Sequence, residues 1–214
     1  MTDLRAEPLG AVLFDLDGTL ISSIPAVERC WTDLVVRAKL DLGDLSQLHG
    51  VPARQSLQRL LGEERRDELE HWVDFLHEAE CTDTEGIVPL PGAGELLDGL
   101  TAAGIPWAIV TSCTQRLARA RVAAAGLALP ELLVTADDVP VGKPAPDPFL
   151  LGAKLAGVDV SRAVAVEDAP AGVQSALAAG MRVATVATTH RRDELPGATW
   201  HLNDLADVTR LLLG

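Results

Sequence analysis

Short apolar runs alternate along most of the chain with stretches whose apolar positions recur every three or four residues. Residues 11–16 form a β-compatible run that stops at Asp17-Gly18. A run this short and this apolar predicts a parallel strand covered on both faces, because such a strand needs no polar alternation. Runs at 105–110, 163–166 and 183–186, and one closing at Val134, predict further strands. Helical periodicity lies between them. It covers 94–100, then 116–125 with Gly126 as the terminating glycine. A third helix is expected over 147–156, with Asp147 as N-cap, Pro148 in the first turn and Gly157 as the stop. A fourth runs over 170–179, from Pro170 to just before Gly180. Strand alternating with helix predicts an α/β fold with a parallel sheet covered on both faces.

Residues 21–86 break this alternation. They carry helical periodicity without a clear buried strand, and they hold charge runs such as 63–70, which read as a solvated helix face. Trp31, Leu34 and Val35, with Trp72, Phe75 and Leu76, sit at helical spacings. Packing inside a helical insertion is the expected role, with ligand contact as the alternative for Trp31 or Trp72. The domain division expected is therefore 1–20 plus 87–214 as the sheet core and 21–86 as the insertion.

Composition narrows the function classes. The chain has 214 residues, enough for a sizeable core. Four Trp, three Phe and no Tyr leave that core to aliphatic residues. The net charge of −13 makes nucleic acid and anionic membrane surfaces poor partners, because the overall field repels phosphate backbones. A phosphate-bearing ligand needs a local positive site instead. Only three of the 18 cations are Lys, so Lys143 in an unusual loop is informative. The cysteines, Cys30, Cys81 and Cys113, are odd in number and match no metal-ligand spacing. With no apolar leader or membrane-length run in the sequence, a cytoplasmic protein in a reducing compartment is expected.

Four segments carry candidate chemistry. Asp15 and Asp17 stand at the end of the first strand, in Phe14-Asp15-Leu16-Asp17-Gly18-Thr19. Ligands of open α/β sheets bind outside the carboxyl ends of the strands. Two acids converging there are costly without a cation between them. A plain Asp-Gly turn explains Asp17-Gly18 but not an acid at position 15. Thr111 and Ser112 follow a second strand, where hydroxyls and backbone N–H groups make a phosphate cradle, or where Ser112 or Thr114 simply caps a helix. Lys143 lies in Gly142-Lys143-Pro144, a stiff loop that either fixes an ammonium or merely turns at the surface. Glu167 and Asp168 follow another strand and precede a helix, a place where acids also serve as caps. Hard oxygen donors at this density suit Mg²⁺. A carboxylate nucleophile, a second carboxylate, Mg²⁺ and a Lys point to phosphoryl transfer through an aspartyl-phosphate.

These four motifs, in this order, resemble those of the haloacid dehalogenase superfamily of aspartate-nucleophile phosphatases. The resemblance implies a Rossmann-like parallel sheet core with a helical cap inserted after the first strand. Stretches such as Thr84-Glu85-Gly86-Ile87 and Pro91-Gly92-Ala93 are similar to those of the small sugar-phosphate and polyol-phosphate phosphatases. These include bacterial hexitol/sugar phosphatases and yeast glycerol-3-phosphate and 2-deoxyglucose-6-phosphate phosphatases. By matching position, Asp15 would be the nucleophile and Asp17 the general acid and base. Thr111, with Ser112, would bind the phosphoryl oxygens, and Lys143 would offset their charge. Asp15, Asp17 (through its backbone carbonyl), Glu167 and Asp168 would hold Mg²⁺. His49, Arg54 and Glu85 are the cap candidates for substrate contact.

An acid at position 17 favours phosphatase over dehalogenase chemistry. Thr19 and Ala53 differ from the related β-phosphoglucomutases, although Arg54 beside Ala53 keeps a phosphomutase as the alternative. A catalytically silent sugar-phosphate binder is the reading from another class. Cys113 stands where many relatives have Gly or Ala, either as a small buried group or as a source of thiol sensitivity. His71, His77, His190 and His201 are expected at the surface or in packing. The expected partner is a small phosphorylated sugar or polyol, and nothing in the sequence demands more than a monomer.

Overall fold

The computed structural model describes residues 9–41 and 53–214. Six parallel strands form the main sheet, in the spatial order β5 (Leu132–Val134), β4 (Trp107–Val110), β1 (Ala11–Phe14), β6 (Ala163–Glu167), β7 (Arg182–Val186), β8 (Trp200–Leu202). The first strand is central. Its side chains alternate between two cores: Val12 and Phe14 join one, Leu13 the other. That double burial is why the run is apolar throughout.

Helices cover both faces. One core gathers β1, α4 (Ala93–Ala102), α5 (Gln115–Ala124) and α8 (Leu205–Leu213). The other gathers α6 (Asp147–Leu155) and α7 (Pro170–Ala178). The expected strands and helices of the core are all present. Gly126, which closes α5, has φ 68°, a conformation that favours glycine. One cap differs from expectation. Pro146 is the N-cap of α6 and Asp147 already lies inside the helix, because Pro146 has near-helical dihedrals. Strand β8 and helix α8 were not expected from the sequence, nor was a two-stranded antiparallel pair, β2 (Ile21–Ser22) with β3 (Val88–Pro89).

Among the described residues, three α-helices lie between β2 and β3: α1 (Ile24–Ala38), α2 (Ala53–Leu61) and α3 (Leu69–Thr82). They enclose their own apolar cluster, which includes Cys30, Trp31, Leu34, Leu57, Leu61 and Leu76. Residues Glu63–Glu68, in the charge run, form a 3₁₀ turn braced by Arg65–Glu68 and Arg66–Glu63 pairs. Trp72 packs edge-on against Phe75 and donates its indole N–H to Glu68. Among the described residues no helix is long and apolar enough to cross a membrane.

Candidate active site

The chain places its chemistry at the carboxyl ends of four adjacent strands, β5, β4, β1 and β6, beneath the α1–α3 helices. A cleft of about 550 Å³ lies there. Asp15 follows β1 directly and its backbone N–H donates to the Val166 carbonyl of β6. The next residues turn tightly, with Leu20 N–H on the Leu16 carbonyl and Gly18 N–H on the Ile21 carbonyl. Gly18 has φ 88°, and a Cβ there would overlap the Asp168 carboxylate. The turn thus needs glycine for both conformation and space.

Lys143 organises the floor. Its ammonium donates to Asp15 Oδ1 at 2.7 Å, Glu167 Oε1 at 2.6 Å and the Val110 carbonyl at 2.8 Å. The Lys143-Pro144 peptide is cis. Glu167 also accepts, through Oε2, from the backbone N–H groups of Asp168 and Ala169. Asp168 accepts from Thr19 at 3.1 Å and from the Thr189 hydroxyl. Burial pushes the Asp15 carboxyl up to about 7, against the pull of Lys143. Burial and the Asp15 charge do the same to Asp168, also to about 7. Glu167 is raised by burial as well. Burial alone would lower Lys143, but the two carboxylates outweigh it and hold it above its ordinary value.

Oxygen atoms of Asp15, Glu167 and Asp168 lie within 4.8 Å of one another. Three carboxylates against one ammonium leave an excess of two negative charges. A hard divalent cation fits that donor set, and its charge would relieve the crowding that raises these groups. The Asp17 side chain stands apart from the set. Its Oδ2 meets Arg121 Nη1 at 3.0 Å and accepts from the Cys113 thiol at 3.2 Å.

Thr111 is buried after β4, and its Oγ1 accepts from Cys113 N–H at 3.1 Å. Ser112 is exposed and lines the cleft, whereas helix capping falls to Thr114, which accepts from Leu117 N–H. Arg54 lines the cleft and pairs with Glu70. Trp31 both packs in the helical cluster and lines the cleft; Trp72 only packs. Glu85 departs from expectation. Its side chain is exposed and outside the cleft lining, and the fold uses its backbone: the carbonyl accepts from Arg29 and the N–H donates to Asp83. His49 lies outside the described residues.

The family model for haloacid dehalogenase-like hydrolases matches residues 9–180. The chain belongs to that family. Hexitol phosphatase A of Escherichia coli K12 is 49% identical over 187 residues, 86% of this chain and 87% of that one. Validoxylamine A 7'-phosphate phosphatase of Streptomyces hygroscopicus subsp. limoneus is 34% identical over 202 residues, 92% and 94% of the two chains. The crystal structure of CbbY from Rhodobacter sphaeroides superposes with a TM-score of 0.83 at 24% identity, covering 94% of this chain and 96% of that one. That last likeness is one of fold.

Within this haloacid dehalogenase-like site, several cleft residues were not placed there by the sequence reading, among them His77, Glu80, Arg121 and Thr189. His77 was expected at the surface or in packing; it is half-buried, and its Nε2 lies 2.6 Å from Thr114 Oγ1, joining α3 to α5. Arg121 meets Glu80 Oε1 at 3.5 Å across the same two helices. The readable signal was periodicity. Leu117, Ala118, Arg121 and Val122 form the buried face of α5, and Leu69, Val73, Leu76 and Glu80 share a face of α3. Each helix carries one charge on its apolar stripe, of opposite sign. Cys113 is buried, and burial raises its thiol well above the ordinary value, so it stays protonated.

Proposed function

We propose that the protein releases inorganic phosphate from small sugar or polyol monophosphates with Mg²⁺ bound, through an aspartyl-phosphate on Asp15. It is a phosphoric monoester hydrolase of the haloacid dehalogenase-like family. The observation that carries the finer reading is the separation of the two acids. Asp15 faces Lys143 and the acidic group, while Asp17, two residues on, faces Arg121. Two carboxylates in two environments are how such sites divide nucleophile from acid and base.

In this mechanism an Asp15 carboxylate oxygen attacks phosphorus as the ester P–O bond breaks. Asp17 gives its proton to the leaving alkoxide. It then takes a proton from the water that attacks the phosphorus of the acyl phosphate, which frees phosphate and restores Asp15. Lys143 keeps the nucleophile ionised and offsets phosphoryl charge. Thr111, with Ser112, holds phosphoryl oxygens. Asp15, Glu167 and Asp168, with the Asp17 carbonyl, would hold Mg²⁺, which would supply further charge neutralisation.

The α1–α3 helices act as the cap over this floor. Their side of the cleft combines apolar Val27, Trp31 and Leu76 with polar Ser23, Arg54 and His77. That mixture suits a short polyhydroxyl chain, and related polyols would be rejected poorly. Relatives named for hexitol and validoxylamine phosphates support this substrate class.

The test is phosphate release from glycerol, hexose, hexitol and deoxyhexose phosphates, with Mg²⁺ and with EDTA. Metal-dependent release that Asp15→Asn abolishes is expected. Substantial turnover by that variant would sink the mechanism. Net isomerisation of a hexose phosphate primed by a bisphosphate would establish the mutase instead, and substrate binding without release the silent binder.

A further inference from the structure

Arg121 is the least expected charge in the molecule. Its side chain is 7% exposed, on the apolar face of α5, beside Leu117, Ala118 and Val122. Burying a guanidinium costs several kcal/mol in lost hydration, so an aliphatic residue would serve packing as well or better. The site offers Arg121 three partners: Asp17 Oδ2 at 3.0 Å, Cys113 Sγ at 3.3 Å and Glu80 Oε1 at 3.5 Å. Arg121 Nε and Asp17 Oδ1 are both buried without a hydrogen-bond partner among the described residues. The guanidinium thus bridges an acid on the sheet side to an acid carried by α3. Among the described residues the other donor to the Asp17 side chain is the Cys113 thiol, a weak one.

We propose that Arg121 is a positioning residue for Asp17, and that Glu80 sets how firmly it holds. One carboxylate oxygen, Oδ2, is fixed against α5. The other, Oδ1, is left for proton transfer. As the Asp15 oxygen–phosphorus bond forms and the ester bond breaks, the proton on Asp17 passes to the leaving oxygen. Arg121 touches neither substrate nor phosphorus in this scheme. Because Glu80 belongs to α3, the seating of the helical layer and the orientation of the acid are joined through one side chain. This inference rests on the acid/base role given to Asp17 above.

The experiment compares two esters in the same enzyme. A hexitol or glycerol phosphate releases a poor leaving group and needs its proton. p-Nitrophenyl phosphate releases a good one and needs none. Values of kcat/KM report the chemistry up to formation of the acyl phosphate. Arg121→Met is expected to lower kcat/KM for the alkyl ester by roughly 10²–10³, within the range of general acid catalysis, and for the aryl ester by less than about tenfold. Arg121→Lys should recover part of the alkyl-ester loss and covers the case where the Met variant fails to fold. Glu80→Gln should show the same preference at roughly three- to tenfold. In an Asp17→Asn background, Arg121→Met should cost nothing further on the alkyl ester, because the two residues act as a unit.

Equal losses on both esters, or losses that multiply with Asp17→Asn, would overturn the proposal and leave Arg121 a structural residue. Two controls separate this from failure of the underlying reading. Turnover by Asp15→Asn, or Asp17→Asn losses that are equal on the two esters, would overturn both together. With both controls as expected, an ester-independent Arg121 effect overturns the positioning role alone.

Discussion

Lys143→Met removes the ammonium from the acidic floor while keeping a side chain of similar length against Phe149, whose ring centre lies 5.1 Å from the Lys143 nitrogen. Three acceptors lose their donor: Asp15 Oδ1, Glu167 Oε1 and the Val110 carbonyl. Breaking one side of a buried ion pair costs about 3–5 kcal/mol. No large discount for solvent applies, since the side chains of Lys143 and Glu167 are 5% and 1% exposed. For a chain of this size the loss corresponds to a fall in Tm of roughly 6–20 °C. The deficit also depends on pH. Burial already pushes Asp15 up to about 7, and losing Lys143 pushes it higher. A carboxyl whose folded pKa exceeds its unfolded value binds more protons when folded, so stability falls as pH rises between the two. Lys143 itself, held above its ordinary value, is charged in both states below about pH 10 and adds no slope there. The variant should therefore lie closest to the parent near pH 5 and farthest near pH 8. Thermal unfolding of both proteins in EDTA across that range reads the difference. A deficit below about 1 kcal/mol, the range of an exposed pair, would refute the reasoning. So would a deficit that stays flat with pH.

Other perturbations separate parts of the site. Gly172→Ala drives a Cβ into the Glu167 carboxylate, so phosphate release should fall at least tenfold and the Mg²⁺ concentration for half-maximal activity should rise; unchanged kinetics would show that Glu167 does not hold the floor. Arg54→Ala should raise KM several-fold with a stability change under about 1 kcal/mol, because its Glu70 pair is exposed. Glu85→Ala should leave KM within twofold, since its hydrogen bonds run through its backbone; the reverse ranking of these two variants would place the substrate elsewhere. With Asp15 and Asp168 both raised to about 7, Mg²⁺ should raise Tm more near pH 8 than near pH 5.5, where these carboxyls hold protons; an equal gain at both would refute the shared acidic site.

The parallel core was legible because its strands are covered on both faces and therefore apolar throughout. Asp15, Glu167 and Asp168 were legible for the same reason: an acid at the end of such a run has no packing role. The short pair of β2 and β3 was not, since two residues a side leave no periodicity to read. Strand β8 is half-buried at the sheet edge, and its side chains give a weak pattern. Helix α8 did carry a start signal, as Asp204 caps it by accepting from Asp207 N–H. The family resemblance implied that Glu85 meets the substrate, but the turn after α3 faces it to solvent and uses its backbone instead. Arg121 and Glu80 were hidden because each reads as an isolated flaw in an apolar stripe. Only the packing of α3 on α5 shows that the two flaws face each other.

In the proposed mechanism phosphate passes through a covalent bond to Asp15. The enzyme can be mixed with a hexitol phosphate and Mg²⁺, quenched within a turnover, and treated with borohydride, which reduces an acyl phosphate to the alcohol. Peptide mass spectrometry then locates the reduced carboxyl. Reduction at residue 15, dependent on substrate and absent without Mg²⁺, is the predicted result. Reduction at another carboxyl, or none while phosphate is being released, would contradict a covalent intermediate on Asp15.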